Sequence, residues 1–198
     1  MSASVALAFV TTIARGEPPL LEPAPASRVR ELSVGEPLPE IDFLDQRGNT
    51  VRLRDFPDKA IAITFIYTRC ASATYCPLVS RNFDVTQELL ARLGLAEQCH
   101  LLSITLDAEH DTPEMLDAYA KSCRADARLW TFASVSEGDL RKLGSAVGLE
   151  FKRVNGRIDH NLRTIVVDAQ GCLRRIFRGS EWTPQELAAE LRAAVQRR

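Results

Sequence analysis

Apolar positions along the chain follow two different rhythms. Ala60 to Tyr67 (AIAITFIY) and Leu101 to Leu106 (LLSITL) are nearly unbroken apolar or β-branched runs, the pattern of strands buried on both faces of a sheet. Between them, from Pro77 onward, Val79, Phe83, Thr86, Leu90 and Leu93 recur at steps of four and three. That spacing predicts an amphipathic helix, and Gly94 ends it. Upstream, Ile41 to Leu44 and Thr50 to Leu53 flank the turn-forming segment Asp45 to Asn49 and predict a hairpin, with Gly48 able to supply a positive φ. Downstream, Asp111-Thr112-Pro113-Glu114 opens a helix to about Ser122, with a capping residue and a proline in its first turn. Leu129 to Ala133 reads as a short strand, and Ser136 to Leu143 as a helix begun by a Ser-x-x-Asp pattern. Leu162 to Val167 is a strand, turned at Asp168 to Gly171 and paired back by Leu173 to Phe177. Thr183-Pro184-Gln185-Glu186 is a capping box, and Leu187, Leu191 and Val195 form the apolar face of a closing helix.

Strand, helix, strand, helix, then a hairpin and a last helix is the order of an α/β, thioredoxin-like fold with a helix inserted before the hairpin. A length of 198 residues suits one such domain with a tail. The formal net charge of -1 provides no general attraction to polyanions, which argues against a nucleic-acid partner. Val5 to Ala14 is apolar, but it is half of the roughly 20 residues a membrane span needs. It has the length of an export-signal core without a basic residue before it. A start further upstream would add the missing Lys or Arg and lengthen the run, making a tether somewhat better supported than a cleaved signal. Pro18, Pro19, Pro23 and Pro25 make Glu17 to about Arg28 an extended linker. The expected division is therefore a tail over 1–32, acting as signal or anchor, and a folded domain over 33–198.

The chemistry concentrates in Cys70-Ala71-Ser72-Ala73-Thr74-Tyr75-Cys76-Pro77, between the end of a buried strand and the start of a helix. Cys76 is expected to be the more acidic thiol, because it stands where free N–H groups and the helix dipole favour a thiolate. Arg69 and Arg81 are expected to add to that field. The spacing is wide for a redox dithiol, yet a doubled loop costs only about 0.6 kcal/mol, on the order of 13 mV against a spread of about 150 mV among natural couples. Spacing therefore does not set the redox potential, although a longer loop can hold two sulfurs apart around an ion. His160 precedes the strand LRTIVV, in a loop that a thioredoxin-like fold lays against the cysteine loop. An imidazole there would complete a two-sulfur, one-nitrogen set, which suits copper better than zinc. An isolated histidine is more often just a polar loop residue. Asp107 and Asp111 fall near the same end of the sheet, with helix capping the plainer reading for Asp111. Cys99, Cys123 and Cys172 read as small buried or half-buried residues, and His100 and His110 as solvated.

The blocks TFIYTRC (64–70), CPLVSRNF (76–83), SITLDAEHDTPEMLDAYA (103–120) and DHNLRTIVVDAQG (159–171) together resemble the Sco/SenC family of copper chaperones. The resemblance implies a thioredoxin-like fold and copper held by Cys70, Cys76 and His160, the cysteines also being the redox-active pair. It implies delivery of copper to the binuclear copper site of cytochrome c oxidase, or reduction of that site's cysteines. The oxidase subunit that carries this site, and other copper or thiol-redox proteins, would be the partners. The expected place is the periplasm or outer face of the inner membrane, or its mitochondrial equivalent. Members of the family ordinarily have three residues between the cysteines, where this chain has five, and an N-terminal membrane helix, where this chain shows a short apolar run. The competing reading is a thiol-disulfide oxidoreductase without a copper role, which needs the two thiols but not His160. A thiol peroxidase is disfavoured: Thr68 and Thr74 each stand two residues before a cysteine, not the three usual in such enzymes.

Overall fold

The computed structural model describes residues 30–72 and 74–196. The apolar run Val5 to Ala14 and the proline-rich stretch of 17–28 lie outside the described residues. The domain opens with a hairpin of β1 (Phe43–Asp45) and β2 (Thr50–Val51). Its turn has Gly48 at φ 81°, and the Asp45 carboxylate accepts the backbone N–H groups of Arg47 and Asn49. Leu53–Asp55 forms a 3-10 turn, so the second strand is shorter than the hydrophobic pattern suggests.

β3 (Ala60–Ile66) and β4 (Cys99–Thr105) are parallel and buried along their whole length, as their unbroken apolar runs require. The helix α1 (Cys76–Arg92) joins them. Val79, Phe83, Thr86 and Leu90 are its buried stripe, whereas Leu93 is half exposed because the helix has ended and Gly94 has turned the chain at φ 69°. After α2 (Pro113–Ser122), β5 (Trp130–Ser134) runs parallel to β4. The Ser136 hydroxyl caps α3 (Glu137–Val147) by accepting the Asp139 N–H.

The next elements, β6 (Phe151–Val154) and β7 (Arg157–His160), form a separate two-stranded sheet. β8 (Arg163–Val167) then pairs antiparallel with β3, β9 (Leu173–Arg178) pairs back on β8, and α4 (Pro184–Gln196) closes the chain. The large sheet has the order β2-β1-β5-β4-β3-β8-β9. Its core is thioredoxin-like, as expected. Helices α1 and α4 pack on each other and on β3. Phe83 lies 5.6 Å from Trp130 and 6.2 Å from Trp182 between ring centroids, and Trp130 donates to Ser103 Oγ at 3.0 Å. This packed sheet is the rigid base from which the cysteine loop and the β6–β7 hairpin emerge.

His100 corrects one expectation. It is 3 % exposed on β4, stacked on Phe56 at 4.1 Å, with Nε2 and Thr131 Oγ1 2.9 Å apart. A histidine in a strand otherwise buried on both faces has no route to water.

Candidate metal and thiol centre

The loop after β3 is folded by two tight turns: Cys70 N–H donates to Tyr67 O and Tyr75 N–H donates to Ser72 O, each at 3.2 Å. A buried carboxylate fixes its first half. Asp111, 1 % exposed, accepts the Thr68 amide at 3.0 Å, the Thr68 hydroxyl at 2.5 Å and the Thr105 hydroxyl. Asp111 is therefore not the cap of α2; the Thr112 hydroxyl has that role, accepting from Met115 N–H. Arg69 pairs with Asp107 on the segment after β4 at 2.6 Å.

Cys76 is the first residue of α1 and is fully buried, while Cys70 is half-buried in the loop. All five cysteines are free thiols. The expected order of acidity is reversed. The Cys76 side chain, and after it the Cys76 backbone, hydrogen-bond to the Cys70 sulfur and pull its pKa below the ordinary thiol range against the opposing effect of burial. Cys76 is pushed up, first by the thiolate of Cys70 that its S–H serves and then by its own burial. The helix terminus does favour a thiolate, but the sulfur it serves is the one that reaches it across the loop. Tyr67, whose place at the site the sequence pattern did not mark, faces the Cys70 sulfur and the Ile158 backbone. Burial and the nearby Cys70 push its phenol up to about 12.

His160, at the end of β7, is 7 % exposed, and burial lowers its pKa. Its Nδ1 lies 2.9 Å from the Asn161 carbonyl, which can only accept, so the proton of the neutral ring sits on Nδ1. The Nε2 lone pair is thereby left facing Cys76 Sγ at 4.0 Å. Tyr67 and Tyr75 flank the ring edge-on at 6.0 and 6.1 Å. The three residues singled out from the sequence are thus neighbours. They do not form a closed cage: among the described residues, no three His, Cys, Asp or Glu groups are gathered closely enough to enclose an ion. Two sulfurs and an unprotonated imidazole nitrogen are soft to borderline donors, the set that copper(I) prefers.

A family model for SCO1/SenC matches residues 37–196. The chain belongs to the SCO1/SenC family. No curated protein sequence matches this Sco-family chain. Among solved structures it is similar to Bradyrhizobium japonicum ScoI with copper bound, at TM-score 0.66 and 23 % identity over 82 % of this chain and 99 % of that one. It is also similar to BsSco, a member of the Sco family of cytochrome c oxidase assembly proteins in which a disulfide switch was identified, at TM-score 0.72 and 19 % identity over 85 % and 99 %. A SCO1/SenC family lipoprotein from Bacillus anthracis matches at TM-score 0.73 and 20 % identity over 81 % and 95 %. At these identities the likeness is one of fold.

Proposed function

We propose that this Sco-family chain is a copper metallochaperone in which Cys70, Cys76 and His160 hold copper as cargo. It delivers the metal to the binuclear copper site of cytochrome c oxidase, or reduces that site's cysteines. The observation that carries this reading is the orientation of His160. Its Nδ1–H is held by a backbone carbonyl and its free Nε2 faces a cysteine sulfur, the second-shell arrangement that prepares an imidazole to ligate a metal. A histidine needed only for packing has no reason to be held in that tautomer beside two thiols. Copper binding by ScoI and the assembly role of Sco proteins such as BsSco support the same reading.

Copper(I) titration of the reduced protein tests it, with His160→Ala and the Cys70→Ser, Cys76→Ser pair alongside. One copper per chain is expected by native mass spectrometry, with weakened binding in His160→Ala and none in the double variant. Copper binding unchanged in the double variant would overturn the assignment.

The reductase activity alone is the second reading, favoured by the division between an acidic, accessible Cys70 and a buried, protonated Cys76. The Cys70 thiolate attacks a partner disulfide, forming a mixed disulfide and releasing one partner thiolate. Cys76 then loses its proton and attacks the Cys70 sulfur. The Cys70–partner bond breaks, the partner leaves as a dithiol carrying the two electrons, and Cys70 and Cys76 are left joined as a disulfide. Loss of reductase activity in Cys70→Ser together with unaltered copper affinity in His160→Ala would favour this reading.

The proposed place of action is the outer face of a membrane that carries a copper oxidase, consistent with a lipoprotein among the structural neighbours. Among the described residues no helix is long and apolar enough to cross a membrane.

A further inference from the structure

His160 stands on a hairpin that belongs to no larger sheet, since β6 pairs only with β7. A two-stranded ribbon is marginal by itself, so its seat on the domain must come from side chains. Strand register puts Phe151, Arg153, Ile158 and His160 on one face, and Lys152, Val154, Arg157 and Asp159 on the other. The second face is exposed throughout, while Ile158 and His160 are buried. At the base, Asn161 ties the hairpin down: its amide donates to Gly148 O at 3.1 Å and its Oδ1 accepts the Glu150 N–H at 3.1 Å.

Further along β6, Arg153 reaches the body twice. Its Nη2 donates to Leu106 O at 3.1 Å, and its Nη1 lies 3.3 Å from Glu137 Oε2 on α3. Leu106 directly follows the last residue of β4. The next residue, Asp107, holds Arg69 beside Cys70, and Asp111 holds Thr68. The sulfur-bearing loop and the imidazole-bearing hairpin are therefore fastened to one short segment, the loop by two aspartates and the hairpin by Arg153.

We infer that Arg153 is a positioning residue that keeps the His160 imidazole at the cysteine pair by docking the hairpin on the end of β4. The inference rests on the ligand set proposed above for its meaning, but not for its test. A planar guanidinium serves a carbonyl and a carboxylate at once, whereas a lysine ammonium has a single point to offer.

The test uses the full chain, reduced and metal-free, as wild type, Arg153→Ala and Arg153→Lys. Hydrogen exchange of the β7 amides is expected to quicken about tenfold in Arg153→Ala and less in Arg153→Lys, with the amides of β3 and β4 and the melting temperature unchanged. A copper(I) competition assay against a chromogenic chelator is then run on Arg153→Ala, His160→Ala and the double variant. Arg153→Ala is expected to weaken binding in the wild-type background and to add nothing once His160 is gone. Unaltered β7 exchange overturns the anchor. An equal loss of copper affinity with and without His160 overturns its action through the imidazole. If His160→Ala alone leaves copper affinity unchanged, the ligand set has failed, while the exchange experiment still decides whether Arg153 docks the hairpin.

Discussion

At Cys70 the thiolate accepts from the Cys76 side chain and backbone, and the thiol of Cys76 is held protonated behind it. Alkylation of a Cys76→Ser variant, whose hydroxyl still donates, should therefore show Cys70 titrating below the ordinary thiol range. Cys76 in a Cys70→Ser variant should react far more slowly throughout the neutral range. Rates of iodoacetamide modification against pH measure both, and a more acidic Cys76 would refute the assignment. A second residue is shifted chiefly by burial, with the Lys59 charge acting in the same direction. His100 is held neutral with its pKa lowered to about 3, against 6.5 for the free side chain. Because the folded value is the lower one, the unfolded chain takes up the proton first as the medium becomes acid. The contribution of His100 to stability is thus intact above about pH 6.5 and is lost as pH falls toward 3. The loss should amount to a few kcal/mol at about 1.4 kcal/mol per pH unit. Urea unfolding at pH 7 and pH 4.5 should show a smaller difference in His100→Leu than in the wild type.

At the scale of elements, the loop after β3 depends on the segment after β4. Asp111 receives three donors, two of them from Thr68. Replacing it with Asn keeps the shape but turns an NH2 group toward at least one of those donors. Chemical denaturation of Asp111→Asn should show a loss of about 1–3 kcal/mol, the range for leaving a buried polar group unsatisfied. A variant as stable as wild type would mean that the carboxylate is not what fixes the loop. The closing helix offers a simpler case. The Thr183 hydroxyl accepts the Glu186 N–H at 3.2 Å, and Glu186 Oε2 accepts the Thr183 N–H at 2.7 Å. Thr183→Ala should cost about 1 kcal/mol, read from the same denaturation curves.

For the whole molecule, the expectation is action outside the cytoplasm, and residues 1–30 are the part to test. Fused to a reporter active only after export, with and without any upstream codons, they should yield signal in at least one arrangement. A reporter silent in both would remove the oxidase from the list of partners and leave the thiol-reductase reading in its place. Within the domain, the sheet carries the cysteine loop and the histidine hairpin at one end. The opposite end holds a cavity of about 530 Å³ lined by charged groups of both signs, including Arg52, Arg54, Asp42 and Asp168. The separation keeps the thiol and imidazole chemistry apart from that mixed-charge surface.

The strands β3 and β4, the stripe of α1 and the caps of α3 and α4 were legible in the chain because each is set by local periodicity or by contacts within four residues. The cysteine pair was legible too, since a thiol is conspicuous at the junction of a buried strand and a helix, and His160 became so once four separated blocks resembled one family. The β6–β7 hairpin was not legible. Its segment FKRVNGRIDH has few apolar positions, and only the Asn155-Gly156 turn, with both residues at positive φ, signals it. The acidity of the two thiols, the true role of Asp111 and the burial of His100 all depend on which groups from distant parts of the chain meet, and on how much water they lose. Periodicity along a sequence records which face of an element is apolar. Only tertiary packing decides which polar atoms are left there without solvent, and that is what sets the chemistry of this site.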